Sequence, residues 1–317
     1  MREYQSHYAG LLQSFVRYRE ISEKWNPSAD ALTASFDKFC VKYQAHFTLQ
    51  ELAETWCQKR NTESGNSWIN RVCMINSFFR YLNTHGLASC VLLDMPKYER
   101  TAYVPHAFTQ EELTLFFDAC DSLSRSAKTL SQRVEALVIP IIFRLLYSSG
   151  LRTCEARLLE VDDVDLREGI LNVRHSKGPH QHYVILHDSM LDVMRRYDAA
   201  MQKIYTQRKY FFPKGQSSPY TAPLLSMQFR KLWDGVSNNY ARAYDLRHHY
   251  AITNINKWTD AGYDFFDKFT YLSKSMGHSS LESTSYYYSL VPSLAGVLCE
   301  KSEAGFNDMI PEVEDNV

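Results

Sequence analysis

No apolar run in the 317 residues approaches the roughly 20 that a membrane-spanning helix needs. The opening Met1-Arg2-Glu3-Tyr4-Gln5 lacks the apolar core of a secretory leader, so a soluble, cytoplasmic protein is expected. Cys-x-x-Cys pairs are missing too. The seven cysteines (Cys40, Cys57, Cys73, Cys90, Cys120, Cys154 and Cys299) are scattered and odd in number, which argues against a disulfide framework or a thiolate zinc site. There is no Gly-rich phosphate loop of the Walker type, no internal repeat and no low-complexity tract. Nor is there an excess of positive charge: 35 Lys and Arg against 36 Asp and Glu leave a net charge of -1. A uniformly basic polyanion binder is thereby excluded.

What is present is a 45% apolar chain, long enough for two cores. Its charge is unevenly spread. From Glu300 onward, Glu303, Asp308, Glu312, Glu314 and Asp315 join Glu300 against Lys301 alone, so the residues before this tail carry an excess of cations. Residues 1–95 read as helices over Tyr8 to Ile21, Asp30 to Tyr43, Leu49 to Arg60 and Ser67 to His85. In the last of these Trp68, Val72, Ile75, Phe78, Phe79 and Leu82 recur at steps of three and four, as a buried helical stripe requires. Lys59, Arg71 and Arg80 fall among polar positions and are candidates for phosphate contact. Residues 96–107, with Pro96 and Pro105 and no apolar period, read as a linker.

A second block, 108–299, opens with Thr109-Gln110-Glu111-Glu112, the signature of a capped helix. Arg133 to Ser148 forms an apolar helix closed by Ser149-Gly150, and Arg152 starts the next helix, through Leu159. Ile170-Leu171-Asn172-Val173 and Tyr183-Val184-Ile185-Leu186 flank a polar turn carrying Lys177, a β-hairpin. Helix is expected again from about Ser189 to Tyr288. Asp162-Asp163-Val164-Asp165 reads as a solvated turn and not as a magnesium site. Residues 300–317 form an acidic tail.

The chemistry concentrates in three places: Arg152 with Glu155, Arg247 in Tyr244-Asp245-Leu246-Arg247-His248-His249, and Gly277-His278 followed by Tyr286-Tyr287-Tyr288. Two guanidiniums, an imidazole and a phenol suit attack of a phenolate on a phosphodiester, with arginine forks gripping the phosphate oxygens. In order and spacing these motifs resemble those of the tyrosine recombinase (phage integrase) family. The resemblance covers the second block through its motifs and extends more loosely to the first, which is similar to the family's helical, SAM-like core-binding domain.

The resemblance implies a mainly α fold with a small β-hairpin or sheet, an α+β catalytic domain in a two-domain DNA clamp. It implies site-specific cutting and rejoining of double-stranded DNA through a 3′-phosphotyrosine, by a homo-oligomer, a tetramer on DNA, with no cofactor and no metal. A nucleoid-associated location and a mobile-element integrase or transposase go with it. By resemblance Arg152 and Arg247 hold the scissile phosphate, Glu155 orients Arg152, and Lys177 protonates the leaving 5′ oxygen. The family's nucleophile lies nine residues beyond the Gly-His histidine, which selects Tyr287 after His278. Tyr244 stands where the family usually has histidine; it can donate a hydrogen bond but is a poor proton acceptor at neutral pH. By the same resemblance, Val291 to Cys299 docks on a neighbouring protomer. A type IB topoisomerase-like activity, or a silent DNA-binding protein of the same fold, are the alternatives.

Overall fold

The computed structural model describes residues 2–22, 25–97, 103–174, 181–257, 265–278 and 284. The chain divides into two compact units, Met1–Tyr103 and Val104–Val317.

The first unit is helical: α1 (Ala9–Ile21), α2 (Pro27–Tyr43), α3 (Leu49–Trp56) and α4 (Gly65–Thr84). Side-chain oxygens of Asn26, Thr48 and Ser64 accept the first free amides of α2, α3 and α4 and so mark where each begins. Leu12 and Phe15 of α1, Phe36 and Cys40 of α2, Leu52 and Trp56 of α3, and Ile75, Phe78, Phe79 and Leu82 of α4 make the core. The chain beyond α4 is held in extended form by side-chain amides. Asn76 exchanges two 2.8 Å bonds with the backbone of Leu93, and Asn83 and Gln50 do the same for Cys90 and Val91.

Arg71 departs from its sequence reading as a candidate phosphate contact. Its guanidinium is buried and bonded to the carboxylate of Glu63 and to the carbonyls of Trp56 and Gln58, closing the C-terminal end of α3 onto α4. The i, i+4 spacing from the core residue Ile75 puts Arg71 on the inward face, which a charge-based reading does not weigh. Lys59, with its ammonium 5.6 Å from the Trp68 ring, and Arg80 are exposed as expected. Arg71→Ala strands Glu63 without its partner and removes about 3–5 kcal/mol of stability. Urea unfolding measures this, with Arg80→Ala as the near-neutral control.

In the second unit α5 (Gln110–Ser126) and α6 (Leu130–Ser149) pack together, followed by α7 (Thr153–Leu158) and a three-stranded antiparallel sheet. The strands are β1 (Val164–Asp165), β2 (Ile170–Val173) and β3 (His182–Ile185), in the order β1-β2-β3. The register pairs Ile170 with Ile185 and Val173 with His182. Next come α8 (Asp188–Gln202), β4 (Pro213–Gly215) paired with β5 (Ser218–Pro219), α9 (Ala222–Trp233), α10 (Asp245–Asn256) and α11 (Phe265–Ser275). The core runs from Phe116 and Phe143 through Leu171, Val184 and Met194 to Phe229 and Trp233.

Two sequence expectations are corrected. The stretch after Ser189 is not continuously helical: Pro213, Gly215 and Pro219 cannot sustain helix and fold instead as the β4-β5 ribbon. Asp163 is buried; one carboxylate oxygen pairs with Arg174 and the other accepts the backbone amide of Glu160. Among the described residues no helix is long and apolar enough to cross a membrane.

Candidate active site

The site forms where three chain segments meet, and a glycine opens it. Gly150 ends α6 in the left-handed conformation at φ 64°, and a Cβ there would lie 2.3 Å from Cδ1 of Tyr250. The turn therefore needs glycine for both reasons. It sends Arg152 to the N-terminus of α7, where Glu155 accepts the Arg152 backbone amide at 2.7 Å and its guanidinium at 2.6 Å. The second guanidinium nitrogen of Arg152 donates to the carbonyl of Gly277 at 2.9 Å.

Arg247, on the first turn of α10, enters the same space and is 1% exposed. It donates to the Gly150 carbonyl at 2.6 Å, to the Met276 carbonyl at 2.8 Å and to Nε2 of His278 at 2.8 Å, and lies 3.9 Å from Glu155. Glu155, fully buried, thus stands between the two arginines. Burial alone would raise its pKa, but the bonds from Arg152 and the charge of Arg247 outweigh this and hold the carboxyl below its usual range.

His278 follows Gly277, which turns the chain out of α11 at φ 63°. Because Arg247 is a donor, Nε2 of His278 must be an acceptor, so Nδ1 carries the proton and donates to Oγ1 of Thr284 at 2.6 Å. Burial and the facing charges of Arg247 and Arg152 push its pKa down to about 3. His248, on α10, is pushed down to about 4, mainly by burial. The sign of the resulting pH dependence is fixed. As pH falls below 6.5 the unfolded chain takes up protons on both rings while the folded chain does not, so folded stability is lost with falling pH. The loss levels off near pH 4 and pH 3, and its slope is at most roughly 1.4 kcal/mol per pH unit for each ring. Denaturant midpoints measured between pH 7 and pH 4.5 will fall, and His278→Gln will flatten the dependence.

Residues 106–293, more than half of the chain, match the phage integrase family. The chain belongs to that family. Among relatives of this phage integrase family member is y4rE of Sinorhizobium fredii, an integrase/recombinase by name, 25% identical over 304 residues that cover 94% of this chain and 89% of the relative. The fold matches XerH recombinase in its post-cleavage complex with palindromic difH substrate, with a TM-score of 0.62 at 16% identity, covering 92% of this chain and 95% of that one. It also matches a lambda integrase tetramer bound to a Holliday junction, with a TM-score of 0.56 at 13% identity, covering 87% and 76%.

Of the residues singled out in the sequence, Arg152, Glu155, Arg247 and His278 come together, and Tyr244 sits beside them, its ring 6.0 Å from the Arg247 guanidinium. Lys177 and Tyr287 lie outside the described residues. His249 takes a packing role, stacked on Tyr147 with ring centroids 5.5 Å apart. Sequence reasoning missed two members of this neighbourhood: Thr284 and His182, whose ring lies against Gly277. The alternation that turns Val184 inward also turns His182 inward, and that was the available signal.

Proposed function

We propose that Tyr287 attacks the scissile phosphate while Arg152 and Arg247 hold its non-bridging oxygens, His278 and Tyr244 donate to it, and Lys177 protonates the departing 5′ oxygen. Supporting this is the convergence of Arg152, Arg247 and His278, from three separate parts of the chain, around the buried carboxylate of Glu155. One carboxylate among these cations leaves net positive charge, the field that a phosphate and a developing phenolate require. The activity is that of a tyrosine-type site-specific DNA recombinase, which cuts and rejoins strands through a phosphotyrosine.

A phosphate oxygen entering the site takes over the Arg247 donor now held by Nε2 of His278. Its negative charge opposes the field that keeps the ring neutral, so the imidazole gains a proton and donates in turn. Attack forms the bond from Tyr287 Oη to phosphorus, breaks the bond from phosphorus to O5′, and leaves a free 5′ hydroxyl. A second strand's 5′ hydroxyl reverses the step, so the exchange conserves one phosphodiester and consumes no nucleotide. Two duplexes present four scissile strands, hence a working tetramer. Lys59 and Arg80 serve as phosphate contacts of the first unit, the extra leading helix from Tyr8 to Ile21 and Tyr244 in a histidine's usual place support the mobile-element reading, and a DNA substrate supports a cytoplasmic, nucleoid-associated location.

The test is trapping on a nicked suicide duplex, whose short cleaved strand diffuses away. The expected result is a denaturation-resistant adduct joined to the 3′-phosphate end of the cleaved strand. Absence of any adduct would mark a silent DNA-binding protein. Plasmid relaxation without recombinant products would mark a topoisomerase.

A further inference from the structure

Tyr244 sits just ahead of α10, and two side chains of that helix close on its ring. Arg247 and His248, three and four residues further along, share its face of the helix. Helical side chains lean back towards the N-terminus, which carries both over Tyr244. The Arg247 guanidinium stands 6.0 Å from the centre of the tyrosine ring. His248 meets the same ring edge to face, with centroids 5.0 Å apart and planes at 71°. Its pKa is pushed down to about 4, mainly by burial, so at neutral pH the contact is one between two uncharged rings.

The phenol at the far end of Tyr244 lies among the cations of the site. Burial would lower the pKa of Arg152, but its bond to Glu155, the charge of that carboxylate and then the Tyr244 phenol outweigh this and raise it. The phenol is therefore within electrostatic reach of one arginine while its ring faces the other. It also carries its O–H at the end of a long side chain, so a change of χ1 rotamer takes the donor out of the site. Tyr244 is only half-buried, and its ring needs a neighbour to keep it from swinging towards solvent.

We propose that His248 is a positioning residue: its ring, set edge to face against Tyr244, holds that tyrosine in the one rotamer whose hydroxyl donates to the scissile phosphate between Arg152 and Arg247. This rests on the reading of Tyr244 as a phosphate donor. His248 acts through Tyr244 alone.

The test is a double-mutant cycle on the full chain, read as the first-order rate of adduct formation on the nicked suicide duplex at saturating protein. Tyr244→Phe keeps the ring and removes the hydroxyl, and is expected to slow cleavage by about 10²-fold. His248→Leu fills the space without an aromatic edge and is expected to slow it by about 3- to 10-fold, with duplex binding within about 2-fold of wild type. In the Tyr244→Phe background the same change has no hydroxyl left to misplace, and the loss shrinks to about 1.5-fold or less. His248→Phe keeps an aromatic edge against Tyr244 and stays within about 2-fold of the wild-type rate. If urea unfolding shows the leucine variant to be unfolded, His248→Gln, which also lacks an aromatic ring, takes its place in the cycle.

An equal loss from His248→Leu in both backgrounds would overturn the proposal and leave His248 a packing residue. So would a His248→Leu protein that cleaves at the wild-type rate, or a His248→Phe protein as slow as His248→Leu. Tyr244→Phe cleaving at the wild-type rate would remove the donor on which the proposal rests, and the proposal with it. Wild-type protein that forms no adduct is a different failure, that of the recombinase reading.

Discussion

A Tyr287→Phe variant is expected to bind its target duplex with wild-type affinity and to form no covalent adduct, a loss on the order of 10⁴-fold or more in strand cleavage. Phenylalanine keeps the ring and removes only the attacking oxygen, so packing and binding survive while the chemistry does not. The choice among Tyr286, Tyr287 and Tyr288 rests on the spacing of nine residues beyond His278 that the resemblance implies. An ordinary phenol ionises near pH 10 and attacks at neutral pH only where cations stabilise its oxygen. Tyr286→Phe and Tyr288→Phe are accordingly expected to retain the adduct. The assay is denaturing electrophoresis after incubation with the nicked duplex. An adduct that persists in Tyr287→Phe and vanishes in one of its neighbours would transfer the nucleophile's role.

Removal of Arg247 should be nearly as severe, and in two ways at once. Arg247→Ala lowers cleavage by about 10³-fold, since a preorganised donor to the phosphate is lost. It also costs about 3–5 kcal/mol of folded stability, because the side chain is 1% exposed and joins the Gly150 and Met276 carbonyls to His278 beside the buried Glu155. Arg247→Lys separates the two effects. Lysine restores a charge near Glu155 but lacks the planar fork, so it recovers part of the stability and little of the rate. Arg152→Ala offers the contrast: its side chain is 16% exposed, and the stability loss should be smaller than for Arg247. Urea unfolding and single-turnover cleavage measure the two quantities. An Arg247→Ala protein with unaltered stability would mean that the carbonyl contacts contribute nothing to folding.

These expectations also show where the sequence was legible. Helices α4 and α6 announce themselves through apolar spacing and, for α6, the left-handed Gly150, while their caps at Ser64 and Thr129 start them two to three residues before the Ser67 and Arg133 read from the sequence. Local signals of this kind act within a few residues, so reading along the chain finds them. The hairpin of β2 and β3 was legible for the same reason, whereas the two-residue strand β1 and the β4-β5 ribbon are too short to show a period. Arg71 was misread as a phosphate contact and Asp163 as solvated because a charge says nothing of the partner waiting for it: Glu63 is eight residues from Arg71, and Arg174 eleven from Asp163.

The sequence by itself determined the family motifs, the mainly helical class, the two apolar blocks and the types of group available for phosphate chemistry. It also placed Arg152 three residues before Glu155, a spacing at which their contact is a local helical matter. Only the tertiary structure decided that Arg247 is fully enclosed, that His278 is a neutral acceptor and that the His182 ring lies against Gly277. The reason is distance along the chain. The Arg152 contact with Gly277 spans 125 residues and the Arg247 contact with Gly150 spans 97, and pairings of that separation are set by how whole elements pack and not by any local pattern.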